Sequence, residues 1–233
     1  MSSADTLFVK GLTNVSCIDY PGRIAVMLFT AGCNFRCGYC HNPSLISSAQ
    51  DAFEPFASVR ERLVSRRALA DGVVITGGEP TIHDVLPSVI EQIHALGFPV
   101  KLDTNASMPS VLEQCLPFLD YIAVDIKTSL RRYDHVCRLP LQEISARIER
   151  SLELLRTSGK SFEIRITASP DIVDAEAIEE MLPMLVNTHV HLQQFSPAVT
   201  LDESYRSLIP YPPSRLETFA ARIRTVAAAC TVR

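Results

Sequence analysis

Three cysteines, Cys33, Cys37 and Cys40, fall within eight residues at C-x3-C-x2-C spacing. The apolar run Ile24 to Phe29 leads into them, and Gly32, Gly38 and Asn42-Pro43 interrupt regular structure around them. The segment therefore reads as a loop at the end of a buried strand, with three thiols directed into one small volume. Crowded thiolates repel one another unless a cation neutralises them, so the pattern calls for a metal. Two donor sets stay open. One is a closed zinc site with His41 as fourth ligand. The other is an iron–sulfur cubane held by three thiolates, which leaves one iron without a protein ligand. A closed shell is structural, whereas an open coordination position is where chemistry can occur. A disulfide framework is a poor reading, because three is odd and the N-terminus, Met1-Ser-Ser-Ala-Asp5, has no charged start or apolar core of a secretory leader.

A second group of polar residues sits where strands are expected to end. Gly77-Gly78-Glu79-Pro80 follows the apolar Gly72 to Thr76. Its glycines permit close backbone approach by a ligand, and Glu79 offers a carboxylate to a cationic group such as an ammonium. The alternative is an ordinary strand-to-helix turn with a solvated Glu. Asp103-Thr104-Asn105 closes the next strand; Asp103 and Asn105 suit a ribose hydroxyl or an amino-acid head group, or simple turn chemistry. Asp125 and Lys127 share a face by strand alternation and join the rim, with simple mutual pairing as the alternative. Arg165 alternates with Ile164 and Ile166, so it points away from them and needs a carboxylate or an anionic ligand. Gln194 ends a late strand.

Stepping through the chain, Leu7 to Leu12 reads as a short strand, with turns at Thr13-Asn14 and Cys17 to Gly22. Strands follow at Arg23–Phe29, Gly72–Thr76, Pro99–Asp103, Tyr121–Ile126, Phe162–Thr167 and Val190–Phe195. Helices are expected over Ser58–Leu69, Thr81–Leu96 (with Thr81 and Asp84 as a capping pair), Pro109–Leu116, Leu141–Thr157, Ala175–Val186 and Pro212–Ala229. Six β-α units imply an α/β fold with a parallel sheet, either open and doubly wound or curled into an incomplete barrel. Either closure brings the strand ends to one rim.

The chain has 233 residues, 47% of them hydrophobic, and a net charge of -4. That suits one domain, 1–233, with a short N-terminal extension over about 1–22. The mild acidity provides no basic footprint for nucleic acid, and no apolar run approaches the ~20 residues of a membrane span. A cytoplasmic location is expected. Cys17, Cys115, Cys137 and Cys230 are scattered and unpaired by any spacing, and His83, His94, His135, His189 and His191 have no ligand spacing with the cysteines.

Together these residues resemble a radical-SAM enzyme. The likeness rests on Cys33-x3-Cys37-x2-Cys40 with aromatic Tyr39, plus Gly77-Gly78-Glu79-Pro80. Cys17-Ile-Asp-Tyr-Pro-Gly22 and Gly32 to Pro43 are most similar to activating enzymes of glycyl-radical enzymes, in particular the anaerobic ribonucleoside-triphosphate reductase type. Asp103-Thr104-Asn105 and Asp125-Ile-Lys127 resemble segments of pyruvate formate-lyase activases. The resemblance implies a partial (βα)6 TIM-like barrel and one [4Fe–4S] cluster on Cys33, Cys37 and Cys40. It implies S-adenosylmethionine chelated at the fourth iron, reductively cleaved to a 5′-deoxyadenosyl radical that takes hydrogen from a partner's glycine. Tyr39 and His41 would flank adenine, and Gly77, Gly78 and Glu79 would hold the methionine amino group. Asp103, Thr104, Asn105, Asp125, Lys127 and Arg165 would position the cofactor, with a monovalent cation in some relatives. The implied partners are a glycyl-radical enzyme and a flavodoxin or ferredoxin-type electron donor; no side chain is expected to be catalytic beyond cluster and cofactor. Ala106 stands where relatives often carry Gly, and no ferredoxin-like cysteine insert follows Cys40. A small-molecule enzyme resembling 7-carboxy-7-deazaguanine synthase and a non-catalytic metal or electron-transfer module are the alternatives.

Overall fold

The computed structural model describes residues 7–46 and 53–233; the N-terminal residues 1–6, read above for a leader, lie outside them. The strands are β1 (Phe8–Tyr20), β2 (Arg23–Thr30), β3 (Glu54–Pro55), β4 (Gly72–Gly77), β5 (Val100–Thr104), β6 (Tyr121–Asp125), β7 (Ser161–Ala168), β8 (His189–Gln194) and β9 (Ala229–Val232). They form one sheet in the order β3-β1-β2-β4-β5-β6-β7-β8-β9. β1 pairs antiparallel with β2 and β3, and every pair from β2 to β9 is parallel. The helices are α1 (Pro43–Ile46), α2 (Phe56–Ser65), α3 (Leu86–Ala95), α4 (Pro109–Cys115), α5 (Leu141–Thr157), α6 (Ala175–Leu185) and α7 (Pro213–Ile223).

Successive parallel strands separated by helices demand crossovers of one hand, so the sheet curls with its helices outside. It is an α/β partial barrel, open between the edges that carry β1 and β9. Residues from both sides of that opening, Ile18 and Pro21 on one and Arg233 on the other, line a common cavity. The outward strand residues Leu102, Ile122, Val124, Ile164, Ile166 and Leu192 are fully buried beneath the helices. α5 shows why: Ile144, Ile148, Leu152 and Leu155 recur at helical spacing and are all buried. The inward residues are of two kinds. Tyr20, Ala25, Met27 and Val74 make a small apolar plug on the β2–β4 side. Lys101, Asp103, Asp125, Glu163, Arg165 and Gln193 make the β5–β8 side polar, as the period of two along a strand allows.

All six expected parallel strands are present; the helix expected over Ser58–Leu69 spans Phe56–Ser65, and larger departures from the sequence reading occur at β1, α3 and α7. β1 continues through Thr13-Asn14 and Cys17, and only Pro21-Gly22 turns, with Gly22 at φ 71°. Register shifts against β2 absorb the turn-forming residues without ending the strand. The helix expected from Thr81 begins at Leu86, preceded by a separate 3-10 turn at Pro80–Ile82. Thr81 and Asp84 do not cap it: the Thr81 N–H goes instead to Glu79, whose carboxylate caps the 3-10 turn. The last helix stops at Ile223, residues 224–228 turn, and β9 begins at Ala229, the last residue of the predicted helical span, where pairing with the edge of β8 outweighs helix propensity.

Candidate functional site

The cysteine loop leaves β2 at Thr30 and is pinned on several sides. The Gly32 N–H donates to Leu45 O (2.7 Å), the Arg36 N–H to Val136 O (2.7 Å), and the Cys40 N–H to Cys37 O (3.0 Å). The Arg36 guanidinium donates to the carbonyls of Cys33 (2.7 Å) and Phe35 (2.8 Å). Behind the loop the Phe35 ring meets Tyr133 edge-on at 6.1 Å, and the Tyr133 hydroxyl accepts the Lys127 N–H (3.2 Å). The sequence carried no signal for Tyr133; only the chain path brings it here.

Gly77 and Gly78 have a structural reason to be glycine. Gly77 is at φ 125°, and a Cβ there would overlap the Thr30 backbone. A Cβ on Gly78 would overlap the Gly32 carbonyl. The turn thus clamps the cysteine loop: Gly78 N–H donates to Thr30 O (3.1 Å), Glu79 N–H to Gly32 O (2.8 Å), and His83 Nε2 lies 2.7 Å from Ala31 O. Glu79 is 1% exposed. Its Oε1 accepts from the Thr81 N–H and hydroxyl and from the Thr104 hydroxyl (2.7 Å), and its Oε2 from the Asn105 N–H (2.6 Å). Burial raises its pKa against those donors. Glu79 therefore ties this turn to the end of β5 rather than standing free. Asn105 is also engaged, donating to Asn34 (2.9 Å) and accepting from the Ser107 N–H (3.0 Å), while Asn34 donates to the Ser107 hydroxyl (2.7 Å).

Across β5, β6 and β7 runs a chain of charges. Lys101, 2% exposed, donates to Asp19 O (2.7 Å) and lies 2.9 Å from Asp103 Oδ1. Arg165 donates to Asp103 (3.0 Å) and to Asp125 (2.7 Å), and Lys127 stands 3.1 Å from Asp125. Burial alone would raise the Asp125 carboxyl, but Arg165 and Lys127 together hold it far below the usual range. Burial works against the charge on Lys127 too, and is outweighed by Asp125 and then by Cys37.

Fourteen of the residues singled out in the sequence line one cavity of about 560 Å³: Cys33, Cys37, Tyr39, Cys40, His41, Gly77, Gly78, Glu79, Asp103, Thr104, Asn105, Asp125, Lys127 and Arg165. Ser16, Asp19, Thr76, Thr167 and Gln193 join them. Gln193 rather than Gln194 faces the cavity; Gln194 donates outward to Tyr211 O (3.0 Å). His41 is exposed at the mouth, and partial burial followed by the Lys127 charge lowers its pKa. The three thiols are free of disulfides. Burial pushes Cys33 up to about 12 and raises Cys37, with the Lys127 charge opposing both. The Tyr39 hydroxyl, buried beside Cys37, has no partner of normal hydrogen-bond geometry. Among the described residues no three His, Cys, Asp or Glu side chains converge as ligands of one metal ion. A cubane makes no such demand, since it takes each thiolate on a different iron. Three thiols lining one cavity, one nearby ammonium and charged side chains along one wall fit a cluster with a ligand on its open iron.

The chain matches the family described as "Radical SAM superfamily" over residues 27–182, and it belongs to that superfamily. A Methanocaldococcus jannaschii protein named "Putative glycyl-radical enzyme activating enzyme" is 33% identical over 211 residues, 88% of this chain and 86% of that protein. The pyruvate formate-lyase-activating enzyme of Streptococcus mutans is 30% identical, covering 88% of this chain and 84% of its own length. A 7-carboxy-7-deazaguanine synthase of Thermococcus kodakarensis is 29% identical over 59% of this chain and 61% of its own. Among solved structures, SuiB of Streptococcus suis bound to the precursor peptide SuiA superposes with a TM-score of 0.66 at 15% identity, over 89% of this chain; the chain spans about half (48%) of that protein. QueE of Escherichia coli gives 0.57 at 20% identity over 97% of this chain and 93% of its own. Both share the fold.

Proposed function

We propose that this radical-SAM enzyme is an activase that creates a glycyl radical on a partner enzyme. The supporting observation is the reach of the likeness. Similarity to proteins named as activating enzymes runs over 88% of the chain, whereas similarity to the deazaguanine synthase covers 59%. Cys33, Cys37 and Cys40 would hold one [4Fe–4S] cluster, with S-adenosylmethionine on its open iron. When bound, that pair supplies a primary carbon radical able to abstract hydrogen from an unactivated carbon.

The chain's own residues bind, orient and shield. Gly77 and Gly78 fix the turn beside the cysteine loop, and Glu79 locks that turn to Thr104 and Asn105. Lys127 presents a cation to the thiol group, and Tyr39 and His41 edge the space where an adenine would lie. Asp103 and Asp125 are already matched by Arg165, Lys101 and Lys127, and no monovalent cation is assigned to them. A carbon radical is indiscriminate, so water and bystander groups must be excluded. A large partner that inserts its glycine loop into the rim would do this; such a partner and a flavodoxin- or ferredoxin-type donor complete the reading. A cytoplasmic setting suits it, and among the described residues no helix is long and apolar enough to cross a membrane.

The test is anaerobic. Reconstituted and reduced protein is incubated with S-adenosylmethionine and candidate glycyl-radical enzymes, and a glycine-centred electron paramagnetic resonance doublet is sought. The doublet supports the proposal. Reductive cleavage that yields no doublet with any candidate, but consumes a pterin-like substrate, replaces it with the small-molecule reading.

A further inference from the structure

The loop after β8, outside the matched segment 27–182, lies directly on the cysteine loop. The Asp202 N–H donates to Gly38 O (3.0 Å). Asp202 then caps the short 3-10 turn Glu203–Ser207 through the Ser204 N–H (2.9 Å), and Thr200, 3% exposed, donates to Asp202 O (2.8 Å). This turn places the Tyr205 ring against Gly38, where an added Cβ would overlap the ring. The same ring stands 6.4 Å from the Tyr39 ring, centroid to centroid. The Tyr205 hydroxyl donates to the Asp171 carboxylate, which also accepts from Ser169. Tyr205 is therefore held at both ends, by Asp202 through the backbone and by Asp171 through the hydroxyl.

Cys37 and Cys40 flank the two residues Tyr205 covers. Glycine between them is otherwise a source of freedom, because it lets the chain wander through conformations closed to other residues. A ring laid on that glycine removes the freedom without occupying the cavity side. We infer that Tyr205 is a positioning residue for the metal cluster: the loop carrying it is a clasp that holds Cys37 and Cys40 in the shape the cluster needs. The inference rests on the assignment of Cys33, Cys37 and Cys40 as cluster ligands. The preference for glycine at position 38 then has a partner, since space for a side chain there is taken by Tyr205 and not by the cofactor.

The reciprocity supplies the test. Wild type, Tyr205→Ala, Tyr205→Phe, Gly38→Ala and the Gly38→Ala/Tyr205→Ala double variant are reconstituted anaerobically. Iron and sulfide per chain are measured, with the spectrum of the reduced cluster before and after S-adenosylmethionine, and the unfolding midpoint of each metal-free chain. Tyr205→Ala is expected to lower cluster content at least threefold and broaden the spectrum, with Tyr205→Phe retaining most of both. Gly38→Ala is expected to lose the cluster, and the double variant to recover at least twofold over it. Wild-type content and spectrum in Tyr205→Ala, or a double variant no better than Gly38→Ala, would overturn the clasp. Should Tyr205→Ala fail to fold, Gly38→Ala decides: a folded Gly38→Ala chain with wild-type iron, sulfide and spectrum would overturn the clasp. A Cys33→Ala/Cys37→Ala/Cys40→Ala variant that keeps full iron and sulfide would instead overturn the ligand assignment.

Discussion

Asp125→Asn should destabilise the metal-free chain sharply, and in a pH-dependent way. The ion-pair chain across β5, β6 and β7 sets three cations, Lys101, Arg165 and Lys127, against two carboxylates, Asp103 and Asp125. Asparagine keeps the shape of Asp125 and removes one of those two charges. Breaking a buried ion pair by removing one partner costs about 3–5 kcal/mol. Arg165 keeps Asp103, and the Asp125 side chain is 27% exposed, so about 2–4 kcal/mol is the expected loss here. Because the native carboxyl is held far below its unfolded value, its contribution is complete above an ordinary aspartate pKa of about 4 and disappears as pH falls through and below it. Urea titrations of wild type and variant at pH 8, 7 and 5 should therefore show a constant gap, and at pH 3 and below a narrowing one, with equal slopes. Equal midpoints at pH 7 would refute the reasoning, because Lys127 and Arg165 would then be solvated well enough to need no partner.

Gly78→Ala places a methyl on the Gly32 carbonyl, so thermal unfolding of the metal-free chain should reveal a loss of about 3 kcal/mol or more, with cluster content falling alongside. Ala106 is at φ 61°, a backbone state that costs a side-chain-bearing residue about 1–2 kcal/mol, while its buried methyl contributes about 0.8 kcal/mol; Ala106→Gly should thus shift stability by no more than about 1 kcal/mol, read from the urea midpoint. Anaerobic reconstitution should load about four irons and four sulfides per chain, single alanines at Cys33, Cys37 or Cys40 should lower that severalfold, and Cys17→Ser, on the exposed face, should not.

Chemistry-bearing residues could be found in the sequence because strand ends are local: apolar runs stop, and Gly77, Asp103 and Asp125 stand at the stops. Alternation likewise placed Arg165 opposite Ile164 and Ile166. What spacing could not show is which role a buried polar group plays. Glu79 looked available to a ligand, yet its oxygens accept from Thr81, Thr104 and Asn105, the last two at the end of β5, 25 and 26 residues further on. The glycines beside it read as room for a cofactor; they line the cavity, and the space an added Cβ would take is also held by Thr30 and Gly32. Tyr205 and Tyr133 carry no motif at all. β9 was hidden because Ala227, Ala228 and Ala229 favour a helix, whereas the chain turns after Ile223 and Ala229 to Val232 pair with the edge of β8.

A ring of strands closed on itself resists expansion, since every seam is a ladder of hydrogen bonds. Here β3 and β9 are the two ends of the sheet, and no strand pairing joins them among the described residues. Parting the sides that carry Ile18 and Arg233 would break no strand pairing, so this wall is built like a slit cuff and not like a closed hoop.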